Sequence, residues 1–170
     1  TRFVCVRYGN VLASRGSVIP LFHSQIAEGG PITLTTKDMT RFLLSLDHAV
    51  DVIFAAVTGA KRGEMYIPIV PSSRVQDIAE VMRGEREIAI EVTGIRPGEK
   101  LHEVLVSEEE AFRTVQRGDY YVILPVLPEL REGSPSEHVL SAEYSSGDNT
   151  MGRENVKALL ESNGLLYHES

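Results

Sequence analysis

The sequence predicts an α/β lobe. Three observations carry that prediction: short β-branched runs alternate with amphipathic stretches of helical period, Gly and Pro clusters punctuate the alternation, and the bulk composition is globular. Of 170 residues, 42% are hydrophobic and 24% charged, so a core can be buried without disulfide or metal staples.

The first run, 2–7 (Arg2-Phe3-Val4-Cys5-Val6-Arg7), reads as a strand running into the turn-rich Tyr8-Gly9-Asn10. Ser17 caps a helix over 18–28 with Ile19, Phe22 and Ile26 on one face, and Gly29-Gly30 stops it. Pro31 to Thr35 alternates as a short strand. The clearest helix spans 46–59, with Ser45 as N-cap, Asp47 in its first turn, and Leu46, Val50, Ile53, Phe54 and Val57 as its apolar stripe. A strand at 65–69, a helix at 74–83 and a strand at 87–92 follow. Next come the turn Arg96-Pro97-Gly98-Glu99, a short helix near 107–114 and a last strand at 120–124. Residues 125–150 are rich in Pro, Gly, Ser and Glu and read as a long loop. Asn149 or Thr150 caps a final helix over 151–163, with Val156, Leu159 and Leu160 inward and Gly164 after it.

The net charge of −7 argues against nucleic acid or an anionic membrane surface as partner, since both require clustered Lys and Arg. It leaves room for one small phosphorylated ligand, for which a few placed Arg suffice. The single cysteine, Cys5, predicts a reducing compartment and reads as a small core residue on its strand. No apolar run approaches the ~18 residues that span a bilayer, and no secretory signal opens the chain, so the expected location is cytoplasmic and no membrane partner is expected. Thr1 leads straight into strand-like sequence, which predicts truncation.

Several catalytic engines are missing. There is no GxGxxG or Walker loop, and no GxSxG elbow. A Tyr with Lys four residues on, the acid/base pair of short-chain dehydrogenases, also fails. Leu12, Val70, Leu124, Pro125 and Asp148 follow Tyr8, Tyr66, Tyr120, Tyr121 and Tyr144. His102-Glu103 begins a zinc motif that Val106 breaks, so no metal is expected.

Four Arg beside turn residues are candidates for an anion site: Arg7, Arg15, Arg41 and Arg96. In Arg96-Pro97-Gly98-Glu99, Pro97 fixes one backbone angle and Gly98 permits a tight turn, so a cation and a carboxylate face one spot. A guanidinium for a diphosphate and a carboxylate for a ribose diol suit a nucleotide, although the same segment taken alone is the ordinary composition of a solvated turn. Asn10 reads equally as a turn-former, Thr33 and Thr35 as outward strand positions, and Glu108-Glu109-Glu110 as a helix first turn.

Four segments, in this order, carry a resemblance: Arg7-Tyr8-Gly9-Asn10-Val11, Ser14-Arg15-Gly16-Ser17-Val18-Ile19-Pro20, Met39-Thr40-Arg41-Phe42, and Gly94 to Glu103. Together they resemble the extended short-chain dehydrogenase/reductases (SDRs) of bacterial polysaccharide biosynthesis, including UDP-N-acetylglucosamine 4,6-dehydratases and 5-epimerases of the capsule and O-antigen type. Tyr144 to Asn149 and the helix after it are similar to the extension of the CapE-like branch. The loop 36–38 reads Thr-Lys-Asp where a Thr-Asp-Pro-like stretch is usual, a mild departure.

The resemblance implies the end of a Rossmann-type parallel sheet in 1–10, a smaller substrate-binding lobe in 11–124 and a CapE-like extension in 125–170. It implies a UDP-sugar contacted by Asn10, Arg15, Ser17, Val18, Thr33, Thr35, Arg41, Arg96 and Glu99. NAD or NADP would be held mainly by an absent amino-terminal half, with Tyr8 and Asn10 reaching it. The catalytic residues would lie in that half, in a full-length homo-oligomer. The implied reaction is an internal redox cycle: oxidation at C4, elimination of the 6-hydroxyl, hydride return at C6 and inversion at C5. Three alternatives stand beside it: a UDP-hexose 4-epimerase, an inactive nucleotide-sugar-binding remnant, and a chain that recruits a separate cofactor-binding partner.

Overall fold

The computed structural model describes residues 2–131 and 139–167. In chain order the elements are β1 (Cys5–Val6), α1 (Val18–Ala27), β2 (Ile32–Leu34), β3 (Thr40–Phe42), α2 (Leu46–Gly59), β4 (Met65–Pro68), β5 (Ser72–Arg74) and α3 (Val75–Arg83). They continue with β6 (Ile90–Val92), β7 (Val104–Val106), α4 (Glu108–Ala111), β8 (Thr114–Arg117), β9 (Tyr120–Ile123), β10 (Tyr144–Ser145) and α5 (Arg153–Ser162). A single 3-10 turn lies at Pro128–Leu130.

The chain divides into two compact units that interleave in sequence. One comprises the described residues of Thr1–Gly9, Leu44–Val70 and Val104–Ser145; the other those of Asn10–Leu43, Pro71–Glu103 and Ser146–Ser170. These limits run across the expected segments 11–124 and 125–170. Helix α2 and β4 leave the middle of the expected lobe for the first unit, and Tyr144-Ser145 pairs there too.

The first unit holds a four-stranded sheet in the order β1-β4-β9-β8. β1 runs parallel to β4, and the other two pairings are antiparallel. β1 is therefore an edge strand. Its inward residues Val4 and Val6 pack toward Ala56, Ala60, Tyr66 and Val122, while Phe3 and Cys5 alternate outward. The core position expected for Cys5 is thus corrected: the residue is exposed, because it lies on the uncovered face of an edge strand.

Helix α2 matches its expected limits, and its Ser45 hydroxyl accepts from the His48 N–H at 3.2 Å. Its inward face is not the expected one. Ala49, Val52 and Ala56 are buried, whereas Leu46, Val50, Ile53, Phe54 and Val57 are 40–67% exposed. The helix is apolar on both faces, so periodicity could not choose between them. The small side chains face inward because they allow close approach to the sheet; a Cβ on Gly59 would lie 3.0 Å from the Tyr66 hydroxyl.

The same unit contains two charge locks. Arg117 on β8 forms a paired contact with the buried Glu64 at 2.6 and 2.7 Å. Burial raises the Glu64 pKa, but Arg117 and the Lys61 N–H outweigh it and hold the carboxyl below its usual range. Arg7 forms another fork with Glu110 at 2.7 and 3.1 Å. Glu110 also closes a capping box with Ser107 at the start of α4. β10 pairs antiparallel with β7, and the Tyr144 hydroxyl bonds both the N–H and C=O of Val70.

The second unit is built on α1, α3 and α5. Ile19, Phe22, Ile26, Ile78, Met82, Val156 and Leu160 fill its core. Asp77, 3% exposed, receives Arg74 at 3.0 Å and Arg153 at 2.8 Å, and Arg153 also pairs with Glu80, which ties α5 to α3. β2 and β6 pair in parallel, and β3 pairs antiparallel with β5. The final helix begins two residues later than expected, at Arg153 rather than 151, with Gly152 as N-cap; Asn149 and Thr150 instead lie beside Ser72. The expected loop at 125–150 also contains β10, and its residues 132–138 lie outside the described residues.

Candidate functional site: a cleft beside the β2–β6 pair

Strand β2 places Ile32 and Leu34 in the core and Thr33 and Thr35 on the opposite side, as a two-residue period requires. Parallel pairing with β6 continues past its end: Thr93 N–H bonds Leu34 C=O at 2.7 Å, and Gly94 N–H bonds Thr35 C=O at 3.1 Å. That extension brings the following turn beside Thr35. The turn is real, with Glu99 N–H on Arg96 C=O at 3.1 Å and Gly98 at φ 83°. Glu99 then accepts the Thr35 hydroxyl on Oε1 at 3.0 Å and the Arg96 N–H on Oε2 at 3.4 Å.

These groups edge a cleft of about 280 Å³ that lies entirely within the second unit. Asn10, Ser17, Val18, Thr33, Thr35, Arg41, Arg96 and Glu99 all line it, above an apolar floor of Ile19, Leu34, Met39, Leu43 and Val75. Arg15 is exposed and is not among the lining residues. Tyr8 and Arg7 belong to the first unit, where Arg7 is committed to Glu110. The four-Arg cluster read from the sequence therefore resolves to Arg41 and Arg96.

Those two differ in availability. Arg41 donates to the carbonyls of Thr40, Leu101 and Lys100 at 2.7, 3.3 and 3.0 Å, and lies 3.5 Å from Glu103. It fixes the segment after the turn and lends its charge to the cleft. The Arg96 guanidinium has no hydrogen bond or ion pair among the described residues and sits exposed at the rim.

The start of α1 also lines the cleft, through Ser17, Val18 and Ile19. Ser17 stands at its N-cap without a side-chain cap bond, and its Oγ is buried with no partner among the described residues. The first N–H groups of a helix have no intrahelical acceptor, so this end presents donors and a partial positive charge. Ala13, in the loop leading to it, has φ 55°, a left-handed conformation that costs a non-Gly residue about 1 kcal/mol.

Two features escaped sequence reasoning. Gln25 on α1 grips Thr33, with Nε2 donating to the hydroxyl at 2.7 Å and Oε1 accepting the backbone N–H at 3.0 Å. A buried relay joins His102 Nδ1, Thr40 Oγ1 and Ser146 Oγ at 2.8 and 2.7 Å, and the Glu103 N–H donates to Ser146 Oγ at 2.9 Å. The relay has no short-range signal, since 106 residues separate Thr40 from Ser146; the Gln25–Thr33 pair, 8 residues apart, spans the change from α1 to β2 and so escapes any single-element pattern.

No group of His, Cys, Asp and Glu that could hold a metal occurs among the described residues. A dinucleotide does not fit either: β1 is two residues long, is followed by no glycine loop, and Tyr8 and Asn10 alone make no pyrophosphate cradle.

The fold defines a class, the carboxy-terminal part of the extended SDR fold. Within that class the chain belongs to the family described as polysaccharide biosynthesis protein, which matches residues 1–125. It is 39% identical to an uncharacterised membrane protein of Methanocaldococcus jannaschii, over 95% of this chain and 50% of that one. It is 39% identical to a UDP-N-acetylglucosamine 4,6-dehydratase (inverting) of Campylobacter jejuni, over 74% and 37%. A UDP-glucose 4-epimerase of Rickettsia bellii is 37% identical over 94% and 49%. The X-ray structure of Pen from Bacillus thuringiensis superposes with a TM-score of 0.85 at 35% identity, over 97% of this chain and 50% of that one. The chain thus spans about half the length of the relatives it matches, or less. Among the described residues no helix is long and apolar enough to cross a membrane.

Proposed function

We propose that this chain is the nucleotide-sugar-binding half of an inverting UDP-N-acetylglucosamine 4,6-dehydratase/5-epimerase that makes polysaccharide precursors. The observation that carries the reading is the buried, unpartnered Ser17 hydroxyl at the start of α1, which lines the same cleft as Arg96 and Glu99. A helix N-terminus with a free hydroxyl at one end and an uncommitted guanidinium at the rim suit a diphosphate. Glu99, already oriented by Thr35, suits a ribose diol, and β2 lies alongside for the base. Arg41 holds the segment after the turn in place, and Asn10 and Val18 border the phosphate end.

In this reading the chain's share of catalysis is binding and orientation, which supply several kcal/mol when they place the reacting sugar correctly. Redox and acid/base groups, and NAD or NADP, belong to a dinucleotide-binding half. The length of the relatives supports such a half, as do the unpaired edge of β1 and the two-faced apolar helix α2, which has the composition of a helix covered on both sides. The epimerase relative supports a second reading, a UDP-hexose 4-epimerase built on the same cleft.

Equilibrium titration with UDP-N-acetylglucosamine tests the binding role. Saturable binding that weakens in Arg96→Ala is expected; no binding to the folded chain overturns it. Mass analysis of the sugar product, made with the dinucleotide-binding half present, separates the two reactions: loss of one water supports the dehydratase, and an unchanged mass supports the epimerase.

A further inference from the structure

Strand β3 alternates, so Thr40 and Phe42 are buried while Arg41 stands on the other face. Thr40 is 3% exposed and does not line the cleft, yet every polar atom it carries is engaged. Its N–H donates to Leu101 C=O at 3.0 Å, and its C=O accepts from Arg41 Nη1 at 2.7 Å. Its Oγ1 lies 2.8 Å from His102 Nδ1 and 2.7 Å from Ser146 Oγ. Ser146 Oγ also reaches Thr40 C=O at 3.3 Å and accepts the Glu103 N–H at 2.9 Å. The Ser146 N–H donates to Glu103 C=O at 2.8 Å, so Glu103 is held by Ser146 through both of its backbone groups. All of these residues belong to the second unit.

Arg41 does line the cleft, and the acceptors it meets are governed by Thr40. One is the Thr40 carbonyl itself. The others are the carbonyls of Leu101 and Lys100, at 3.3 and 3.0 Å, and the Glu103 carboxylate at 3.5 Å. They belong to residues 100–103, the stretch that Thr40 grips through Leu101 and His102. Ser146 fastens the same stretch at Glu103, although it lies outside the matched residues 1–125. We propose that Thr40 is a positioning residue for Arg41: its hydroxyl, pinned between His102 and Ser146, fixes where the Arg41 charge sits in the cleft. A guanidinium bound to carbonyls keeps its positive charge. Displacing that charge changes its attraction for a diphosphate and not for an uncharged nucleoside. This inference rests on the nucleotide-sugar reading of the cleft and adds residues outside its wall.

The test is titration of the chain with UDP and with uridine, which differ by the diphosphate. Thr40→Val keeps the outline of the side chain and both backbone groups but lacks the hydroxyl. It should weaken UDP roughly tenfold and leave uridine within about twofold of wild type. Thr40→Ser keeps the hydroxyl and should hold UDP within about threefold of wild type. In an Arg41→Gln background, Thr40→Val should cost UDP little beyond Arg41→Gln alone, because the charge it positions is gone. If Thr40→Val does not fold, Ser146→Ala removes a partner of the same hydroxyl and should give the same loss for UDP only. Equal losses for UDP and uridine, losses that simply add with Arg41→Gln, or an unchanged UDP affinity in the folded variant overturn the positioning role. Each of these leaves the nucleotide reading standing. A folded wild-type chain that binds neither ligand overturns both.

Discussion

Thr35 and Glu99 are joined by a 3.0 Å hydrogen bond that ties the end of β2 to the turn at Arg96, although 64 residues separate them in sequence. The bond orients a carboxylate over the cleft without neutralising it. Because the turn is otherwise exposed, Glu99→Ala should leave the melting temperature nearly unchanged and weaken UDP about tenfold, the loss of one charge-assisted hydrogen bond. Calorimetric titration reads this directly; an unchanged affinity would show that the carboxylate does not meet the ligand.

Arg96 is expected to act on phosphate alone. Arg96→Ala should weaken UDP roughly tenfold to a hundredfold and leave uridine unaffected. The UDP affinity of wild type should also fall with added salt more steeply than that of the variant. Equal losses for UDP and uridine would place Arg96 elsewhere in the site.

The Arg7–Glu110 fork predicts a pH dependence with a definite sign. The Arg7 hydrogen bonds are the largest influence on Glu110; burial opposes them, the Ser107 N–H assists, and the carboxyl is held at about 2 against an ordinary 4.5. A lowered folded pKa means the contribution is complete above the ordinary value and disappears as pH falls toward the folded one. Discounted for the 35% exposure of the Arg7 side chain, Glu110→Gln should cost about 1–2 kcal/mol at neutral pH. The gap to wild type should close as pH falls from 4.5 to 2. Denaturant melts across that range check it, and a constant gap would mean the charge contributes nothing.

Gly147 packs against His102 so closely that an added Cβ would lie 3.1 Å from Nδ1 and 3.2 Å from Cγ. That ring nitrogen also holds Thr40, so the ring cannot yield without disturbing the relay to Ser146. Gly147→Ala should destabilise the chain by about 1–3 kcal/mol. Adding His102→Ala should then cost less than the two single changes summed, because it removes the obstruction. Strict additivity in thermal melts would contradict the packing account.

Much of this was legible in the sequence where the signal is local. α1 buries Ile19, Phe22 and Ile26 as their spacing predicts, Ser45 caps α2, and Arg96 to Glu99 turns on Gly98. What escaped was decided by partners far along the chain. The strands β3, β5, β7, β8 and β10 are two to four residues long, too short for alternation to register. The buried face of α2 went to Ala49, Val52 and Ala56, because sheet contact rewards small side chains on a helix that carries apolar residues on both faces. Of the expected ligand set, eight residues share one cleft because β2, β6 and the start of α1 converge there. Arg7 could not join them once Glu110, 103 residues away, had taken its guanidinium.

Hydrogen–deuterium exchange with and without UDP locates the ligand most directly. Binding as proposed predicts slower exchange at the start of α1, along Thr33 to Thr35 and through Thr93 to Glu99, with the sheet of β1, β4, β9 and β8 unchanged. Protection confined to that sheet, or none at saturating UDP, would contradict a nucleotide site in this cleft.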